Sequence, residues 1–247
     1  MEKINIMGVP FDSCTLDEAV EFCRGLLAEK GCKAIHTPNS EIVRLCIKQP
    51  EYYDIINDAA LIIPDGAGVV LASKILGAPL KKGKVAGVDL MGRLMTLSAE
   101  IGVPVFLLGG KPGVADTAAE NLKKANPGLI IAGTRDGYFK DDEEVVRQIN
   151  ESGAKLLCVC MGVPRQESWV KENKAKFESV TLAGCFGGSI DVYAGTAKRA
   201  PQWFIDHHLE WFYRLMKQPS RIGRMMALPA FILNAVGYRL KHGKPKK

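Results

Sequence analysis

Seven short apolar runs recur along the chain with stretches of helical period between them, and nothing else in it limits the fold so sharply. They fall near residues 4–8 (INIMG), 33–37 (KAIHT), 60–63 (ALII), 103–108 (VPVFLL), 129–132 (LIIA), 155–161 (KLLCVCM) and 180–185 (VTLAGC). The first intervening stretch, TLDEAVEFCRGLLAEKG, opens on a capping box, Thr15 with Glu18 three residues on, and stops at Gly31. Further helices are predicted over 40–48, 66–76, 89–101, 113–125, 141–151 and 165–176. The apolar runs are continuous rather than alternating, so both faces of the sheet they build must be covered. The expected fold is α/β: a Rossmann-like, mostly parallel sheet with helices on both faces.

In such sheets ligands bind beyond the carboxyl ends of the strands, so the residues just after each run form the candidate site. Thr37-Pro38-Asn39-Ser40 follows 33–37, and Pro64-Asp65-Gly66-Ala67-Gly68 follows 60–63. The later runs lead into Gly109-Gly110-Lys111, Asp136-Gly137-Tyr138, Pro164-Arg165-Gln166-Glu167 and Gly187-Gly188-Ser189-Ile190-Asp191. Glycine turns let a backbone approach a phosphate, and helix N-termini point N–H groups at it. Asn39, Ser40 and Asp65 are also good helix caps, and GGKPG (109–113) lacks both the dinucleotide and the P-loop spacing. Six polar loops on one rim are more than capping requires, and they point to a nucleotide or nucleotide-sugar pocket. A nicotinamide dehydrogenase needs G-x-G-x-x-G after the first strand, where VPFDS stands instead.

Charge narrows the partners. The net charge is +6, but from Pro201 onward nine Lys or Arg oppose only Asp206 and Glu210, so an anionic partner is expected at the tail. The apolar run from Met225 to Tyr238 has 14 residues, broken by Pro229, Asn234 and Gly237. A bilayer-spanning helix needs about 20. Flanked by Arg221, Arg224, Arg239 and Lys241, the run suits a segment lying in the interface of an anionic membrane. Residues 1–200 are therefore read as a catalytic domain and 201–247 as a basic, helical, membrane-binding appendage. The alternatives for the tail are a helical pair packed on the body or a contact within a homo-oligomer. Nucleic acid is not expected, because the basic residues alternate with long aliphatics. Seven cysteines without a C-x-x-C read as reduced core thiols, and four histidines form no zinc pattern. The opening MEKINIMGVPFD alternates and then turns, so no secretory leader is expected and the body is placed in the cytoplasm.

The motifs HTPNSEIV (36–43), IPDGAGVV (63–70), KVAGVDLM (84–91), FLLGGKPGV (106–114), MGVPRQE (161–167), FGGSIDVYAG (186–195) and KRAPQWF (198–204) follow one another along the chain. LEWFYRL (209–215) then leads into PSRIGR (219–224). Together they resemble the WecG/TagA/CpsF family of bacterial glycosyltransferases over almost the whole length. The resemblance implies inverting transfer from a UDP-sugar to a polyprenyl-diphosphate-linked sugar at the cytoplasmic membrane face. The best-known members add N-acetylmannosamine to undecaprenyl-diphosphate N-acetylglucosamine for wall teichoic acid. Others serve common antigen or capsule with different donors, and the shared motifs do not choose the sugar.

The resemblance matches Asp65 to the proposed base, Thr37 and Asn39 to positions lining the donor pocket, and Gln166 to an active-site glutamine. It places Asp191, Gly137 and Tyr138 near the nucleotide, although Tyr138 reads equally well as a core aromatic. No Asp-x-Asp occurs in the chain, so no metal cofactor is expected and side-chain cations must meet the departing diphosphate. The candidates are Lys84, where many relatives carry Arg, and Arg214, Arg221 and Arg224, on an appendage expected to dock over the pocket.

Overall fold

The computed structural model describes residues 1–207, 209–217 and 227–243, without the side chains of Arg214, Lys217 and Ala227. The chain opens on a hairpin that stays apart from the main sheet. Strands β1 (Glu2–Ile6) and β2 (Val9–Ser13) pair antiparallel across Met7 and Gly8, which hold φ values of 49° and 95°. Two successive positive-φ residues make the tight turn that suits a two-residue hairpin. This corrects the expectation that 4–8 is a strand of the main sheet. Asp12, within VPFDS, is buried and accepts the Ile62 N–H at 2.9 Å while pairing with Lys3 at 3.0 Å. VPFDS thus fastens the hairpin to the sheet edge.

Six strands form the main sheet, every pair parallel: β3 (Lys33–His36), β4 (Leu61–Ile62), β5 (Val105–Gly109), β6 (Ile131–Arg135), β7 (Leu156–Cys160) and β8 (Leu182–Cys185). Their order is β4-β3-β8-β7-β5-β6. Alternate residues feed two separate cores, as the two-residue period of a strand requires. Val105, Leu107, Leu156, Cys158 and Leu182 pack with α1 (Leu16–Leu27), α5 (Gly87–Ile101) and α6 (Val114–Ala125). Phe106, Leu108, Leu157, Val159 and Ala183 pack with α7 (Asp142–Glu151) and α8 (Arg165–Asn173). The α/β class, with helices on both faces, is therefore observed. The capping box on α1 is present as well, Thr15 Oγ1 accepting from Glu18 N and Glu18 Oε2 from Thr15 N.

A third core lies beyond the β4 edge. The hairpin, α2 (Ser40–Lys48), α3 (Tyr52–Asn57) and α4 (Ala67–Leu76) share it with α12 (Ala227–His242), whose Phe231 and Ala235 are fully buried there. Helix α12 packs on both α4 and α2. Along the chain between β8 and α12 come the short helices α9 (Ser189–Tyr193), packed on α6 and α5, α10 (Gln202–Asp206) and α11 (Glu210–Lys217). Arg199 clamps this region to the first turn of α5, meeting Asp89 through two guanidinium nitrogens at 2.6 and 2.7 Å. No described helix is long and apolar enough to cross a membrane.

Candidate active site

From adjacent β5 and β7 the chain departs in opposite directions, outward to β6 and back toward β8, and such a switch point opens a crevice at the strand ends. A cleft of about 1330 Å³ lies there, lined by residues from the loops after all six sheet strands. Single-ligand pockets usually measure about 300–1,000 Å³, so this one has room for more than one substrate. Thr37, Asn39, Asp65, Lys84, Gly110, Gly137, Tyr138, Gln166 and Asp191 all stand in its wall.

Asp65 does not cap the helix that follows it, because the N-cap of α4 is Gly66 (φ 97°), without a side-chain bond. Its Oδ2 instead accepts the N–H of Gly87, the first residue of α5, at 3.1 Å. A Cβ at position 87 would lie 3.1 Å from Thr37 Oγ1 and 3.4 Å from Asp65 Oδ2. Glycine eases the close approach of the helix end to Thr37. The N-terminal end of α5 therefore faces a half-buried carboxylate in the cleft wall.

Three other residues of the cleft wall are tied to backbone. The Thr37 hydroxyl donates to the Cys185 carbonyl at 3.0 Å, joining the ends of β3 and β8. Asn39 caps α2, its Oδ1 accepting from Glu41 N at 2.9 Å and Ile42 N at 3.1 Å. Gln166 is buried, and its Oε1 accepts from Gly162 N at 3.2 Å and Gly187 N at 3.0 Å. Its Nε2 donates to Glu167 Oε1 at 2.7 Å. Tyr52 donates to the other oxygen of Glu167 at 2.9 Å. Burial raises the Glu167 carboxyl above its usual range, against the pull of these donors.

On the far side of the cleft the structure overturns one reading. Tyr138 is 69% exposed, its backbone N–H held by Asp136 Oδ1 at 2.8 Å, so it is no core aromatic. Arg165, which sequence reasoning passed over, fixes this loop. It donates to the carbonyls of Gly137 and Phe139 and stacks 4.6 Å over the Phe139 ring. Gly109 supports the wall from behind. At φ 137° its Cβ would lie 2.2 Å from the Cys160 carbonyl oxygen, so only glycine lets β5 run beside β7 to its end. Asp191 sits in the first turn of α9, with the Thr196 hydroxyl 3.4 Å from Oδ1.

Among cations, Lys84 is paired with Glu210 at the start of α11, the side chains only 14% and 19% exposed. Lys111 and Lys198 also line the cleft and were missed as candidates, although GGKPG and KRAP display them. The side chain of Arg214, and all of Arg221 and Arg224, lie outside the described residues. Among the described residues, no three His, Cys, Asp or Glu side chains gather as a metal site would need. Cys160 reaches the cleft, but burial pushes its thiol up to about 12, which removes the thiolate a nucleophile needs.

A parallel sheet whose strand-end loops bring a carboxylate, glycines and lysines into one cleft has the architecture of an α/β enzyme that binds its ligands at the carboxyl rim. The chain belongs to the WecG/TagA/CpsF glycosyl transferase family, whose profile matches residues 4–245. It is similar to proteins named N-acetylglucosaminyldiphosphoundecaprenol N-acetyl-beta-D-mannosaminyltransferase from several bacteria. The one from Bacillus spizizenii (strain ATCC 23059 / NRRL B-14472 / W23) is 37% identical over 85% of this chain and 81% of its own. That from Bacillus subtilis (strain 168) is 32% identical over 100% and 94%, and that from Staphylococcus aureus (strain MW2) 34% over 99% and 96%.

Proposed function

We propose that this glycosyltransferase moves N-acetylmannosamine from its UDP-activated form onto N-acetylglucosaminyl-diphosphoundecaprenol, with inversion, in building a cell-surface polymer such as wall teichoic acid. The carrying observation is the seating of Asp65 at the end of α5, inside a cleft lined by all six strand-end loops. In this reading the Asp65 carboxylate takes the proton of the acceptor hydroxyl. That oxygen bonds to the anomeric carbon while the bond from this carbon to the diphosphate breaks, and UDP leaves. Cleft lysines and the tail arginines Arg214, Arg221 and Arg224 neutralise the departing charge without a metal ion. The exposed Tyr138 ring offers a flat face to the nucleotide base.

The protein is read as peripheral on the inner membrane face. Trp203, Phe212 and Met216 on α10 and α11, with Leu233 and Leu240 on α12, present large apolar side chains outward. These suit a helix set lying in the lipid interface, which would bring a lipid-linked acceptor to the cleft.

The test is an assay of the purified full chain with UDP-N-acetylmannosamine and a short-chain lipid-diphosphate N-acetylglucosamine, read by mass spectrometry. UDP-glucose serves as the competing donor, and EDTA is added in one arm. Asp65→Asn should lower kcat by about 10²- to 10⁴-fold and leave UDP binding intact. Full turnover in this variant would remove Asp65 as base. Exclusive use of another donor would overturn the sugar assignment, and loss of transfer with EDTA the metal-free mechanism.

A further inference from the structure

The buried Glu167 lies beneath the cleft wall rather than in it, and the reaction as described above does not use it. Its two oxygens take the Gln166 amide and the Tyr52 hydroxyl. Both of its oxygens act as acceptors here. With this acceptor on one side and the Gly162 and Gly187 N–H groups on the other, the Gln166 amide has one satisfied orientation, Nε2 inward and Oε1 toward the glycines. Those glycines begin the loops after β7 and β8, and both line the cleft. Reversing the amide would set its NH₂ against two backbone donors and leave both glycine N–H groups without their acceptor.

We infer that Glu167 is a positioning residue for the transfer reaction: through the Gln166 amide it locks the Gly162 and Gly187 loops at one spacing across the cleft. Tyr52 steadies the carboxylate without choosing the amide's direction, so its hydroxyl matters less. The inference rests on the cleft being the donor site, but its structural half can be read without substrate.

Glu167→Gln keeps the shape but sets a second amide beside Gln166, one that can present an NH₂ where Gln166 Nε2 needs an acceptor, so the hold of Gln166 on the two glycine N–H groups loosens. In the unliganded variant the Gly162 and Gly187 backbone amides should shift in ¹H–¹⁵N spectra and lose hydrogen-exchange protection, with no fall in Tm. Turnover should show kcat/KM reduced about 10- to 100-fold and Tyr52→Phe reduced far less. In a double-mutant cycle, Glu167→Gln combined with Gln166→Ala should be no worse than Gln166→Ala alone, because the glutamate acts through the glutamine. Unchanged glycine amides in Glu167→Gln, additive losses in the cycle, or an activity loss matched by a fall in Tm would each overturn the inference. Wild-type protein without sugar transfer would instead refute the donor-site reading, leaving the amide result to stand by itself.

Discussion

His36, one residue before Thr37, shows how strongly the interior constrains a single side chain. Its Nδ1 meets the Ile56 carbonyl at 3.1 Å, while its Nε2 is buried without a partner among the described residues. Burial pushes the imidazole down to about 4, against 6.5 for an exposed histidine. Between those values the unfolded chain takes up a proton that the folded chain refuses. Stability should therefore fall as pH drops through that window, with no contribution above it. The span corresponds to about 3 kcal/mol. Denaturant titrations from pH 4 to 7 should give His36→Gln a flatter pH slope than wild type by that amount, and equal slopes would contradict the assignment. At this scale the sequence displays polar residues at strand ends, but not where their atoms point. Gln166 and Asn39 were both legible as candidates, yet one spans two loops and the other caps its own helix.

The elements were read well where apolar continuity and local capping chemistry agree. Helix α2 matches its expected span of 40–48 and α5 begins two residues early. Strand β6 was misplaced because it is an edge strand with only half-buried residues, so Thr134 and Arg135 are tolerated in it and the apolar rule missed them. The short helices α3 and α9, of 6 and 5 residues, carry too little period to be seen. Helix α12 is the element with the largest consequence. Phe231→Ala should cost about 3–5 kcal/mol of global stability, measured by urea unfolding, since Phe231 is sealed among helices α2 and α4. A change under 1 kcal/mol would mean that α12 is not part of the folded body.

For the whole molecule, the chain after Pro201 does two different things. Helix α12 turns Phe231 and Ala235 into the body, and it turns Leu233 (71% exposed) and Leu240 (83%) outward. Replacing both outward leucines with Asp should weaken flotation with anionic vesicles at least tenfold while leaving Tm unchanged. Unaltered flotation would contradict the proposed contact of α12 with the membrane. Removing all of 201–247 also strips the cover from α2 and α4, so it tests stability and membrane contact together. By itself the sequence determined a covered parallel sheet and the six loops at its carboxyl rim, because apolar continuity and helical period are written in neighbouring residues. Only the tertiary structure decided that Asp65 meets the end of a helix starting 22 residues later, and that Lys84 meets an acid 126 residues away. It also decided that the last helix returns to the core. Those outcomes depend on surfaces brought together by folding, and local propensity carries no information about a partner so distant in the chain.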